Sequence, residues 1–270
     1  MVAVRRYPAR PYVVGHRGAA GHAPENTLSA FAAGARMGAD LVECDVHLSR
    51  DGEVVVFHDD TLERTTGAPG LLRDHDLDAL RRLDAGRGER IPTLAELLAF
   101  AAGRPPLGVV VEIKNGPYFY PDIARKVATA IARYGMADRA LVISFDNLVV
   151  REFKEIAPHV ATGILFYARL ADPAGAARAA GADCIWPALP MLTPDVVRQA
   201  HAAGLGVFTW TANSQDDFSR ALEAGVDGIG SDFPDALAAR LPPSSPPGRK
   251  QAEIYPQIGS ASGSGTSDHD

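Results

Sequence analysis

The chain has 270 residues, 46% of them hydrophobic, and a formal charge of −6, enough apolar content for one core the size of a single α/β barrel. No basic run tracks a nucleic-acid backbone or an anionic bilayer, which argues against nucleic acid and stable membrane association and for a small-molecule partner. The two cysteines, Cys44 and Cys184, fall inside apolar strand-like runs, as reduced core thiols of a cytoplasmic protein do, and not as a disulfide framework.

The amino-terminal stretch MVAVRRYPARPYVVGH contains no apolar segment long enough for an export signal or a membrane span. A first strand is expected over 12–16, ending in His16 and Arg17. Gly18 then lets the backbone turn close to a ligand, and PENT starts a helix with Asn26 or Thr27 as its N-cap. Glu25 reads equally well as a partner of site residues or as helix-start electrostatics. A second strand over 40–47 carries Glu43 and Asp45 two residues apart, so both project from one face. Only SRDG separates it from the apolar run 54–60, too short for a parallel crossover, so that run returns as a hairpin. With the turn near Asp51, Glu43 faces Asp59, Asp45 faces Phe57, and His58 comes back to the level of the two carboxylates.

The segment from about 60 to 90 is rich in turn signals and charge and is expected to drape over the site as a short cap. Beyond it, a strand over 108–114 repeats the earlier arrangement with Glu112 and Lys114. Further strands are expected over 140–145, 161–166, 183–187, 206–211 and 227–231, separated by amphipathic helical patterns such as TLAELLAFAA and DIARKVATAIARYG. Several helices stop at Gly before a new strand, as in MGADLVE and AGVDGIG. Eight strand–helix units close a barrel. The expected fold class is therefore α/β, a (β/α)8 TIM barrel with a β-hairpin and short cap inserted after the second strand. It forms a single catalytic domain over 1–241, followed by a Pro/Ser/Gly-rich disordered tail over 242–270.

The strand ends supply the chemistry. Glu43, Asp45 and Glu112 converge on adjacent inward faces, where their repulsion is costly unless a cation neutralises it. An all-oxygen set suits Mg²⁺ or Ca²⁺ better than zinc, although each carboxylate taken alone reads equally well as one half of a salt bridge. His16 and His58 flank that position and together suit general acid and base catalysis, with either histidine in either role. Arg17 and Lys114 supply fixed positive charge for a phosphoryl group. The set as a whole asks for a phosphodiester. Trp210 on the seventh strand is either barrel packing or a wall against substrate. The remaining histidines, His22, His47, His75, His159, His201 and His269, fall in loops, helices or the tail without a convergent partner and read as solvated or structural.

The motifs GHRG, PENT, ECDVHLSRDGEVVVFHDDTLERTTG, EIK, ISF, FTWTAN and IGSDFP, in that order between about residues 12 and 240, resemble those of the glycerophosphodiester phosphodiesterase family. The resemblance implies a TIM-barrel, metal-dependent hydrolase that cleaves glycerophosphodiesters to sn-glycerol 3-phosphate and an alcohol. It implies His16 and His58 as the acid–base pair, Glu43, Asp45 and Glu112 as ligands of one divalent cation, and Arg17 and Lys114 near the phosphate. It also tilts Trp210 toward the glycerol moiety and gives the cap a part in shaping the pocket. A lysophospholipase D acting on lysolipids keeps the same chemistry and would need an apolar groove at the barrel mouth. A non-catalytic phospho-ligand-binding barrel would be expected to lack at least one of His16, His58 and the carboxylates, all of which are present. The sequence leaves the head group, the native metal and the oligomeric state open.

Overall fold

The computed structural model describes residues 9–242. The expected tail beyond them, His269 within it, and the first eight residues lie outside the described part. Nine strands and ten α-helices are found among the described residues. The strands are β1 (Tyr12–Gly15), β2 (Leu41–Leu48), β3 (Val54–Val56), β4 (Gly108–Ile113), β5 (Ala140–Ser144), β6 (Ala161–Phe166), β7 (Cys184–Pro187), β8 (Gly206–Thr209) and β9 (Gly228–Ser231). The helices are α1 (Leu28–Arg36), α2 (Glu63–Thr66), α3 (Leu77–Leu80), α4 (Leu94–Ala102), α5 (Ile123–Arg133), α6 (Asn147–Ile156), α7 (Pro173–Ala179), α8 (Pro194–Ala202), α9 (Gln215–Ala224) and α10 (Pro234–Ala238).

All strands but β3 form one parallel sheet that closes where β1 pairs with both β2 and β9. This is the expected eight-stranded barrel. Each strand boundary lies within two residues of its expectation except for the hairpin return, where pairing ends at Val56 instead of running to Asp60. β3 runs antiparallel to β2, with Val46 opposite Val56 and Leu48 opposite Val54. The Phe57 N–H continues that register by donating to the Asp45 carbonyl at 3.0 Å. The hairpin alignment read from the SRDG turn is therefore present.

Two apolar layers follow from the period of two. Outward-facing Val42, Cys44, Val109, Val111 and Val142 meet the helices. Inward-facing Val14, Leu41, Val110, Leu141, Ile143, Leu165, Trp186 and Phe208 fill the barrel. The helices answer with apolar stripes at helical spacing, as in α5, which buries Ile123, Ala124, Val127, Ala128 and Ile131. Both cysteines are buried, and Cys184 Sγ accepts from the Trp186 indole N–H at 3.2 Å. No helix among the described residues is long and apolar enough to cross a membrane.

The segment between β3 and α4 has a small core of its own. Leu62, Leu72, Leu80, Ala85 and Ile91 cluster with Val55 and Phe57 of the hairpin return. It is thus a packed unit seated on the hairpin, more ordered than its charged sequence suggests.

Candidate active site

Glu43 and Asp45 point into the barrel because they share the parity of Leu41, and Glu112 shares that of Val110. The register sets Asp45 beside Glu112. One oxygen from each of Glu43, Asp45 and Glu112 lies within 4.8 Å of the others, and all three side chains are buried. Burial, then the neighbouring carboxylates, push Glu43 well above the usual carboxylate range, and burial raises Glu112 to about 7. Burial works against ionised Asp45 as well, but Lys114, His58 and Arg17 outweigh it and hold its carboxyl below the usual value. Lys114 Nζ stands 2.9 Å from Asp45 Oδ1 and 2.5 Å from Glu112 Oε1. Two of the acids therefore have a lysine counter-charge, while Glu43 accepts the backbone N–H of Arg17 at 2.8 Å. A buried all-oxygen trio with an excess of negative charge is a donor set that fits a hard divalent cation.

The loop after β1 is built around that trio. Arg17 and Asn26 both adopt left-handed backbone (φ 49° and 58°), and the Asn26 N–H donates to the Arg17 carbonyl at 3.0 Å. Asn26 is not the cap of α1. Thr27 takes that place, accepting from the Ala30 N–H, and frees the Asn26 amide to donate to Asp45 Oδ2 at 2.8 Å. Gly18 is required for a reason other than the one expected. At φ 92°, a Cβ there would sit 2.5 Å from the Ala30 carbonyl carbon, so glycine lets the loop press against α1. Arg17 Nη1 donates to Glu25 at 2.9 Å, while its buried Nε has no hydrogen-bond partner.

Each candidate catalytic histidine is held by a carboxylate through Nδ1. His16 Nδ1 lies 2.7 Å from Asp232 Oδ1, and His58 Nδ1 lies 2.6 Å from Asp59 Oδ1. A ring that donates from Nδ1 keeps Nε2 as its other working atom. Asp232, directly after β9, accepts from Asn213 Nδ2 at 2.6 Å. Burial opposes its charge, yet His16, Asn213 and Arg17 together outweigh it and lower the carboxyl. Asp59 is bound by Arg64 Nε at 2.5 Å, and Arg64 also grips Glu25 at 2.6 and 2.9 Å. The chain Arg17–Glu25–Arg64–Asp59–His58 thus ties both sides of the site together.

His47 has one of the two roles read for it, a structural one, but in a buried strand position with partners of its own. It lies in β2, buried, with Nε2 3.1 Å from the His58 carbonyl and Nδ1 3.1 Å from the Tyr120 hydroxyl. Burial lowers its pKa, and the neutral ring holds the backbone that carries His58.

These groups open onto one cavity of about 480 Å³ including its mouth. His16, Arg17, Glu43, His58, Glu112 and Lys114 form its charged wall. Ile143, Phe145, Leu165, Trp186 and Trp210 form an apolar wall. All the expected site residues except Asp45 line it, and Asp45 sits just behind, under Lys114 and Asn26. None of the residues lining this cavity comes from 61–90, and Arg64 links that segment to the site through Asp59 and Glu25. The sequence reading missed Asn26, Asp59, Arg64 and Asp232. Asp232 carried the same signal as His16, a polar residue just past an apolar strand.

The family model for the Glycerophosphoryl diester phosphodiesterase family matches residues 16–236. A glycerophosphodiester phosphodiesterase of Caldanaerobacter subterraneus is 38% identical over 83% of this chain and 95% of its own length. One from Bacillus altitudinis is 34% identical over the same shares. Among solved structures, a glycerophosphodiester phosphodiesterase from Agrobacterium tumefaciens superposes with a TM-score of 0.74 at 30% identity, covering 85% of this chain and 99% of that one. A phosphodiesterase of Oleispira antarctica, solved in complex with the product sn-glycerol-3-phosphate, superposes at 0.75 with 28% identity, covering 85% and 96%.

Proposed function

The chain is an enzyme of the glycerophosphoryl diester phosphodiesterase family, and we propose that it hydrolyses glycerophosphodiesters to sn-glycerol 3-phosphate and an alcohol through a pair of histidines beside a divalent cation. The observation that carries this reading is the convergence on one cavity of two carboxylate-held imidazoles, a buried acidic trio and two cationic side chains. Glu43, Asp45 and Glu112 would hold the cation. Hard and oxygen-seeking, Mg²⁺ or Ca²⁺ would supply charge stabilisation to the phosphoryl oxygens.

The chain's own groups do the rest. Arg17, with a buried Nε still unsatisfied, and Lys114 receive the phosphate. One histidine takes the proton of the attacking water at its Nε2. The other delivers a proton to the departing alkoxide from its own Nε2. Where the substrate's glycerol hydroxyl attacks instead, a cyclic phosphate forms and water then opens it, with the two histidines in exchanged roles. Asp232 and Asp59 fix both rings in the tautomer this requires and stabilise whichever imidazolium forms. Trp210 closes the apolar wall against the organic part of the substrate.

The deciding experiment assays purified protein on glycerophosphocholine and glycerophosphoethanolamine, measuring sn-glycerol 3-phosphate release with and without chelator. Release that chelation abolishes and Mg²⁺ or Ca²⁺ restores is expected. Cleavage of an aryl phosphodiester without release from either natural diester would overturn the reading. A lysolipid substrate has one observation in its favour, the exposed Phe119 and Leu170 on the loops after β4 and β6 and the exposed Leu148 at the start of α6. Comparing kcat/KM on lysophosphatidylcholine and glycerophosphocholine decides between them.

A further inference from the structure

The charged wall of the cavity comes from β1, β2, the hairpin return and β4, and every cavity-lining residue from the β5–β8 arc is apolar. That arc ends at the mouth in three aromatic rings, Phe145 just after β5, Tyr167 just after β6 and Trp210 just after β8. Phe145 and Tyr167 are 47% and 64% exposed, a large area of aromatic surface left in water. Phe145 meets the Trp210 ring at 85° with centroids 5.6 Å apart, and Tyr167 meets it at 55° and 6.5 Å. Deeper in the barrel, Trp186 and Phe208 lie flat on each other at 4.6 Å and 6°, as packed core rings do. The mouth rings form an open corner instead.

Three further observations restrict what the corner receives. The Trp210 indole N–H is already spent on the Trp186 carbonyl at 3.1 Å, which fixes the ring and leaves its π surface as what it offers. The Arg–aromatic pairs found among the described residues lie elsewhere, with Arg73 over Tyr118 and Tyr120, Arg104 over Phe100 and Arg133 over Tyr134. Phe145 and Trp210 also line the same cavity as Arg17 and Lys114, so one small diester can touch both walls.

We infer that Phe145, Tyr167 and Trp210 form a subsite for the departing alcohol that selects a quaternary ammonium group, as in a choline-type diester. A quaternary ammonium has no N–H to donate and gains most from π faces, which attract its spread positive charge. A primary ammonium or a polyol needs hydrogen-bond acceptors or donors, and of the three rings only the Tyr167 hydroxyl still offers one. The bound part common to all glycerophosphodiesters, phosphate and glycerol, then occupies the enclosed cavity, while the variable part stands at the open mouth. This inference rests on the hydrolase reading above.

The experiment measures kcat/KM on glycerophosphocholine, on its neutral dimethylbutyl analogue in which carbon replaces the nitrogen, and on glycerophosphoethanolamine, for wild type, Phe145→Ala and Tyr167→Ala. The wild type is expected to favour the choline diester over the neutral analogue by about tenfold, the scale of a partly desolvated cation–π contact. Each variant should bring that ratio down toward one. Equal wild-type rates on the charged and neutral analogues would show a merely apolar corner and overturn the inference, as would a tenfold ratio that neither variant changes. Because the readout is a ratio between substrates, a general loss of folding in a variant does not imitate the result. No turnover of any diester by wild type would instead strike the hydrolase reading, so the two failures are distinguishable.

Discussion

Lys114 occupies a position with two uses, and the conflict between them shapes the acidic site. It lies against Asp45 and Glu112, and burial works against its charge, but the two carboxylates outweigh that and raise its pKa. A cation among the three acids would relieve Lys114 of its counter-charge duty and leave it free for phosphate. Glu43→Gln, Asp45→Asn and Glu112→Gln are each expected to abolish turnover and to weaken or remove the rise in melting temperature on adding Mg²⁺ or Ca²⁺, because a ligand held only by the folded state must raise it. An unchanged melting-temperature rise in all three variants would disprove the ligand assignment. The histidines separate by leaving group. His16→Ala and His58→Ala should each lower kcat by about 10²–10⁴ with KM much less affected. A p-nitrophenyl diester, whose leaving group needs no proton, should rescue only the variant that lost the general acid. Near-wild-type kcat in either variant on a natural diester would refute the pairing.

At the scale of elements, the hairpin and the packed segment after it act as one device. Arg64 on α2 binds Asp59 of the hairpin return and Glu25 of the β1–α1 loop, and its hydrogen bonds to those two carboxylates raise its own pKa. Arg64→Ala would leave Glu25 and Asp59 facing each other's side of the site without their shared cation. We expect kcat to fall about tenfold or more, Arg64→Lys to recover only part of it because lysine lacks the planar fork, and the melting temperature to move little for a half-exposed ion pair. A loss in KM alone would argue that Arg64 only lines the approach. Leu80→Ala, in the small core that seats α2 and α3, should behave oppositely and cost about 2–4 kcal/mol of stability by denaturant melts. The strands were legible in the sequence because burial on both faces writes uninterrupted apolar runs, as in GVVVEI. The hairpin was legible because the five residues between β2 and β3 are too few for a parallel crossover. What could not be read was the set of contacts that join distant elements. Nothing local to His16 announces Asp232, 216 positions away. Asn26 looked like a cap because its residue type and place suit one, and only the left-handed turn at Arg17 sends it to Asp45 instead. The charged cap hid its core for a similar reason, since Leu62, Leu72 and Leu80 are too widely spaced to show a period.

For the molecule as a whole, the acidic trio makes stability depend on pH in a direction opposite to that of most paired carboxylates. Burial raises Glu112 to about 7 and Glu43 well above its ordinary value. The folded metal-free chain therefore holds protons that the unfolded chain has released, and stability falls as pH rises through the folded values. Other groups act elsewhere on the scale. Asp45, Asp59 and Asp232 are lowered, so their contributions are lost only in acid. His47 and His58 are lowered by burial, so they favour the folded state increasingly as pH climbs through 6.5, and that gain fades only about one pH unit above it. Between pH 6.5 and 8 the histidine gain is common to wild type and Glu112→Gln, so the difference between the two isolates the raised glutamate. Over that interval, Glu112 alone should cost the metal-free protein about 1 kcal/mol, or about 2–4 °C in melting temperature for a chain of this size. Glu112→Gln should remove that share of the slope and raise the melting temperature of the metal-free protein at pH 8, even though it destroys activity. Added Mg²⁺ or Ca²⁺ should stabilise the wild type more at pH 8 than at pH 6.5, because at the lower pH the cation must first displace protons from its ligands. Thermal melts in chelator and in saturating metal at the two pH values read all of these at once. A metal-free melting temperature that rises from pH 6.5 to 8, with a metal-induced shift no larger at pH 8, would mean that the trio is ionised and internally compensated, with Lys114 and Arg17 sufficient to neutralise it and no vacancy of charge left for a cation to fill.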